Sequence, residues 1–187
     1  MTSNFLKKFL GPAEIEVAIG EISRLAKLNG FDVALAGGVA LQLYGSDRLT
    51  KDIDFLASDE PDTGFKQTKR LSFGGVAGVT SLGTPVDLIV RDDGVKKLYQ
   101  AALDDALFFG ELGIKVVSVE FMATIKFDAG RLKDQQDLET LLFLGELNLK
   151  RTRDIVREFL GDFALKEFNS VVYEVEWRKS KEDTEGR

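Results

Sequence analysis

Apolar residues recur at helical spacing over residues 13–28, where Ile15, Ile19, Ile22, Leu25 and Ala26 fall on one side and Asn29-Gly30 supplies a stop. The pattern then changes. Residues 31–36, "FDVALA", form a short continuous apolar run of the kind a buried strand shows, and Gly37-Gly38 turns it into a second helix over 39–45. Residues 51–57, "KDIDFLA", read as a second strand, and the polar stretch 58–67 reads as a loop. Residues 68–74 and 78–81 are weak strand candidates around a glycine-rich turn, whereas 84–90, "TPVDLIV", is a strong one. Residues 94–107 are helical in pattern and 114–119 form a late strand. Helices follow at about 120–129, 134–147 and 151–160, with a longer one around 163–179.

The first two thirds therefore mix strands and helices and the last third is helical, an α+β arrangement. We expect a core over residues 1–119, a C-terminal helical region over 120–179 packed on it, and a polar tail from 180 to 187 that frays. No internal repeat or low-complexity linker divides the 187 residues.

Composition narrows the chemistry. The chain has no cysteine and no histidine, which removes disulfides, thiolate and imidazole metal sites, and any catalytic triad with a histidine base. A metal would have to be held by oxygen, which favours Mg²⁺, Mn²⁺ or Ca²⁺. The net charge of -6 argues against a surface that binds nucleic acid generically. The N-terminal "MTSNFLKKFLGP" does not read as a signal peptide and no apolar run reaches membrane-spanning length, so a soluble cytoplasmic protein is the expectation.

Two carboxylates stand out against this background. Side chains on a strand alternate, so Asp52 and Asp54 point one way while Ile53 and Phe55 point into the core. Side-by-side like charges repel unless a cation neutralises them. Asp87 interrupts "TPVDLIV" in the same manner, on the face opposite Val86, Leu88 and Val90. If the two strands are neighbours, three carboxylates converge, enough for two Mg²⁺ ions spaced about 3.5–4 Å apart. Each piece also has a plainer reading, as solvated aspartates on an exposed strand face. The glycine pair adds weight, because close-approach glycines ahead of a helix suit phosphate.

Taken together, "LAGGVALQLYGSDRLTKDIDF" followed by "VDLIV" resembles the nucleotidyltransferase superfamily that includes DNA polymerase β, with Gly37, Gly38, Asp52, Asp54 and Asp87 matching in order. The later "VVSVEFMATIKFDAGRLKDQQDLETLL" resembles the toxin-type nucleotidyltransferases of abortive-infection (type IV toxin–antitoxin) systems, through Lys126, Arg131, Lys133, Asp134 and Asp137. The resemblance spans roughly residues 30–145. It implies a nucleotidyltransferase-type mixed sheet flanked by helices, and transfer of a nucleoside monophosphate from an NTP, ATP among them, to an acceptor with one or two Mg²⁺ ions. Asp52, Asp54 and Asp87 would be metal ligands, Asp87 alternatively the base. Gly37 and Gly38 would hold the phosphates, and Lys126 would neutralise triphosphate charge. Arg48 and Asp134 join the nucleotide-binding candidates. The implied acceptor is a small molecule, tRNA or protein, and an antitoxin protein is an implied partner.

The residues also have simpler roles. Lys126 on an apolar helix reads as a snorkelling surface lysine, Asp134 as an acidic helix start, and Asp137 as the partner of a nearby base. Arg48 and Lys51 flank the paired aspartates and also fit a turn-region surface. Lys150, Arg151, Arg153 and Arg157 read as a solvated helix face rather than a nucleic-acid patch. The segment between Asp54 and Asp87 leaves little room for the helix that usually follows the paired aspartates in the superfamily. Three rival functions remain: an antibiotic-type adenylyltransferase acting on a small, cationic, hydroxylated compound, a nucleotide-binding or antitoxin-partner module without turnover, and a purely structural domain.

Overall fold

A computed structural model describes the backbone of residues 9–185 and side chains through Lys181. The N-terminal segment in which no signal peptide was read lies mostly outside these residues, as do Gly186 and Arg187. Among the described residues no helix is long and apolar enough to cross a membrane.

Contacts divide the chain into two units. The first comprises the chain up to Leu43 and Asp47–Val117, and the second comprises Tyr44–Ser46 and the chain from Ser118 onward. Helix α1 (Pro12–Asn29) opens the first unit. Pro12 stands at its first turn, where a missing N–H costs nothing, and the Gly11 N–H donates to Glu14 Oε2 at 2.9 Å. Its buried stripe is Ala18, Ile19, Ile22, Leu25 and Ala26, as the apolar spacing requires. Strand β1 (Val33–Ala36) runs directly into the short helix α2 (Gly37–Leu43). Strand β2 (Ile53–Ala57), the hairpin β3 (Lys66–Arg70) and β4 (Val76–Val79), and β5 (Pro85–Ile89) follow. Helix α3 (Lys96–Asp104) and the hairpin β6 (Leu107–Phe109) and β7 (Ile114–Val116) complete the unit.

All seven strands form one mixed sheet in the order β3-β4-β5-β2-β1-β7-β6. Its centre is β2, parallel to β5 and antiparallel to β1. Ile53, Phe55, Leu56 and Ala57 are all buried, so both faces of β2 are covered beyond Asp54. A continuous apolar run is what such a central strand needs. The edge strand β3 is the opposite case: Lys66, Gln67, Thr68, Lys69 and Arg70 are all exposed. Charged residues on an edge discourage pairing with another chain.

Three elements differ from the periodicity. The helix expected to reach residue 107 ends at Asp104, and Leu107 instead begins β6, antiparallel to β7. The late strand expected to reach residue 119 stops at Val116, and the weak candidates become a true hairpin with a register shift between Gln67 and Lys69. In sequence this hairpin lies between β2 and β5, but in the sheet it stands outside β5 and forms the edge.

The second unit is helical: α4 (Val119–Ala129), α5 (Leu132–Leu144) and α6 (Leu149–Glu185). Helix α4 is buried nearly all round because α5 and α6 both pack on it. Phe127 meets Phe168 edge-on with ring centroids 5.4 Å apart. Helix α6 is interrupted at Gly161 (φ 90°, ψ 175°), the break between the two helices expected at 151–160 and 163–179. Its second stretch runs through Glu185, so the polar tail is helical as far as it is described.

Backbone angles like those of Gly161 are essentially closed to residues with a Cβ. Gly161→Ala should cost about 1–3 kcal/mol in chemical unfolding. Gly110→Ala, at a position whose added Cβ meets nothing within 4 Å, should stay within about 0.5 kcal/mol.

Candidate active site

The parallel pairing of β2 with β5 places Asp54 directly opposite Asp87. Neighbouring strands lie about 4.8 Å apart and register partners share a face, so two half-buried carboxylates stand side by side. Their strand neighbours Ile53, Phe55, Val86 and Leu88 are fully buried on the other side, which fixes the direction in which both acids point.

The glycine pair packs against this arrangement. Gly37 adopts φ +61°, and a Cβ there would lie 1.8 Å from Asp54 Oδ2. Only glycine allows both the left-handed backbone and the close approach. Gly38 lies against Thr50, where a Cβ would come within 3.0 Å of both Thr50 Cβ and Oγ1. The buried Thr50 hydroxyl lies 3.1 Å from Asp52 Oδ1 and 3.0 Å from the Asp52 carbonyl. Each glycine therefore makes room for one part of the paired-aspartate motif: Gly37 for Asp54 itself, Gly38 for the threonine that holds Asp52.

Asp52 lies in an exposed bend immediately before β2, where Thr50 beside Gly38 holds it, one residue from the strand that carries Asp54. Among the described residues no three acidic side chains are grouped so as to hold a metal ion. The oxygen-only donors at Asp54 and Asp87 fit a hard divalent cation in kind, and the register supplies two of them. The Arg48 carbonyl accepts a hydrogen bond from Gln42 Nε2 at 2.7 Å, and the Lys51 ammonium lies 4.9 Å from the centre of the Phe9 ring.

Lys126, Asp134 and Asp137 belong to the helical unit, where they form a buried ion network. Lys126 Nζ lies 3.0 Å from Asp134 Oδ1 and 2.8 Å from Asp137 Oδ2. Arg131, at the start of α5, also reaches Asp134. Asp134 is wholly buried, at 0% exposure. Burial pushes its carboxyl up, but hydrogen bonds from Arg131 and Lys126 and the charges of both hold it below its ordinary value of 3.8. Lys126 is thus no snorkelling surface residue. Its ammonium is compensated by two carboxylates and ties α4 to α5. The pairing of Asp137 with a neighbouring base is with this same lysine.

No protein-family model matches the chain, and no curated protein matches it in sequence. Among solved structures, an antigenic nucleotidyltransferase-like protein from Paracoccidioides brasiliensis is 17% identical over 89% of this chain and 95% of its own, with a TM-score of 0.48. The antibiotic-resistance factor ANT(2'')-Ia is 13% identical over 86% of this chain and 98% of its own, with a TM-score of 0.52. The fold is of nucleotidyltransferase type. At this identity the likeness concerns the backbone alone, and the chemistry rests on the residues.

Three outcomes test these clusters. Gly37→Ala should displace Asp54 or strain the β1–α2 junction, lowering the melting temperature by several degrees, and Gly37→Ala/Asp54→Gly should recover part of the loss; equal melting of Gly37→Ala and wild type would contradict the contact. Lys126→Met removes the one cation that touches both buried carboxylates, leaving Asp134 with Arg131, and should cost roughly 3–5 kcal/mol. Because Asp134 is held below 3.8, its contribution is complete above the ordinary carboxylate range and is lost as pH falls through its lowered value. Unfolding midpoints from about pH 6 to pH 2 should therefore drop more steeply in wild type than in Asp134→Asn.

Proposed function

We propose that the chain is a nucleotidyltransferase, moving a nucleoside monophosphate from an NTP to a hydroxyl group on an acceptor. The observation that carries this reading is the register of Asp54 against Asp87, with Gly37 pressed against Asp54. A structural role alone gives no reason to set two carboxylates face to face and to require a glycine beside one of them.

Asp54 and Asp87 are the residues that would hold a divalent cation, and Asp52 is the third candidate ligand. When bound, Mg²⁺ supplies neutralising charge to the triphosphate and lowers the proton affinity of the acceptor hydroxyl. The acceptor oxygen forms a bond to the α-phosphorus, the bond from that phosphorus to the bridging oxygen breaks, and pyrophosphate leaves. The acceptor's proton must go to a base, and with no histidine in the chain Asp87 is the group proposed for it. Gly37 and Gly38 bring backbone close to Asp54 and Thr50 and are proposed to line the phosphate site. The remaining catalytic contribution is positioning.

In this reading Lys126 and Asp134 support α4 and α5 rather than touch nucleotide, since each already has its charge partner. A small, cationic, hydroxylated acceptor is favoured over tRNA or protein. The net charge of -6 suits a cation, and the chain matches nearly the whole length of an antibiotic-resistance factor in fold. A toxin role with an antitoxin partner follows only from the motif resemblance.

The test is transfer of label from each α-labelled NTP, with Mg²⁺ and a cell extract or a panel of aminoglycosides, followed by separation of small-molecule, RNA and protein fractions. Wild type should label the small-molecule fraction, and Asp54→Asn and Asp87→Asn should each reduce transfer at least ~100-fold, in line with loss of a principal electrostatic group. Labelled RNA or protein would reassign the acceptor. No label in any fraction from a folded protein that binds Mg²⁺–NTP would replace the enzyme by a binding module.

A further inference from the structure

A second site lies at the other end of β1 from Gly37. Helix α1 presents Ser23, Ala26 and Lys27 along one stripe, at the spacing that aligns residues on a helix face, and Gly30 follows where the helix ends. Opposite them stands the β6–β7 hairpin, where Phe108 and Lys115 are register partners and so share a face. Small residues on the helix side leave the gap between them open. The result is a cavity of about 340 Å³, within the range of small-molecule sites, lined also by Phe31 and by the start of β1.

The lining has a consistent chemistry. Among the described residues neither Lys27 nor Lys115 is in an ion pair, although the protein carries a net charge of -6, whereas Arg91, Lys126 and Arg178 each meet a carboxylate. Asp32 is the one carboxylate of the lining, so the cavity is net positive. The Ser23 hydroxyl oxygen is buried and has no hydrogen-bond partner, a state that buried polar groups rarely keep without a water or ligand. Phe108 is 69% exposed, an apolar ring offered to solvent at the mouth. Two ammonium groups and aromatic surface together suit a flat aromatic body carrying an anionic group.

We propose that this cavity binds an aromatic anion, a carboxylate or phosphate on a planar ring system, with the anion on Lys27 and Lys115 and the ring against Phe108 and Phe31. The site is separate from Asp54 and Asp87, and its binding is independent of whether the chain transfers nucleotides.

The experiment uses the full chain, labelled with ¹⁵N, and three probes: 2-naphthoate, its neutral counterpart 2-naphthalenemethanol, and inorganic phosphate. Naphthoate should shift the amides of Ser23, Phe31, Val33, Gly113 and Ile114 saturably, with a dissociation constant of about 1 mM or below, and leave Gly37 and Gly38 unmoved. Lys27→Ala/Lys115→Ala removes two exposed or half-exposed lysines without ion partners and should keep the fold. It should weaken naphthoate at least tenfold, and the neutral probe should bind wild type as weakly as naphthoate binds the variant. Phosphate alone should cause no saturable shift in the same range. Equal binding of naphthoate and the neutral probe would overturn the proposal. So would a double variant that binds naphthoate like wild type, phosphate binding as tightly as naphthoate, or shifts spread away from the cavity.

Discussion

Asp54 faces Asp87 across two parallel strands, and the rest of the first unit is arranged so that this costly pairing can stand. Burial of Ile53, Phe55, Val86 and Leu88 on the opposite side fixes the register. A slip of either strand by one residue would send its acid into the core and its two apolar neighbours out of it. The chain then turns at Gly37 with a backbone that carries no Cβ into the space of Asp54. Packing thus sets the position of the charges, and the charges in turn dictate the glycine.

The helical unit solves the same electrostatic problem in the opposite way. There two buried carboxylates are met by Lys126 and Arg131 in one closed network, which leaves no charge uncompensated. Such a network holds helices together and depends on every member being present. At Asp54 and Asp87 the like charges are instead set in register on adjoining strands.

Much of this was legible in the sequence where period and punctuation agreed. Helix α1, strands β1, β2 and β5 and the shared face of Asp54 with Asp87 follow from alternation, from the apolar runs and from the Gly37-Gly38 turn. Asp52 stands in the bend immediately before β2, which begins at Ile53, and Thr50 holds it there, a contact no local pattern announces. Strand β6 was hidden because Leu107 continues the apolar pattern of α3, and only its pairing with β7 makes it a strand. The exposed β3 has no apolar face to announce it. Lys126 read as a surface lysine because its partners lie on the next helix, eight and eleven residues on, where local pattern does not reach. The break at Gly161 was marked by its glycine, but not the length of helix beyond it.

If Asp54 and Asp87 are paired in order to hold a divalent cation, the protein should bind Mn²⁺ through them. Free Mn²⁺ would be followed by electron paramagnetic resonance as it is titrated into wild type, Asp54→Asn and Asp87→Asn, with a non-hydrolysable NTP analogue present and absent. The account predicts a saturable site in wild type that tightens with the analogue and is lost in both variants while each remains folded. A wild type that takes up no Mn²⁺ under either condition, or an Asp87→Asn protein that takes it up as tightly as wild type, would contradict it.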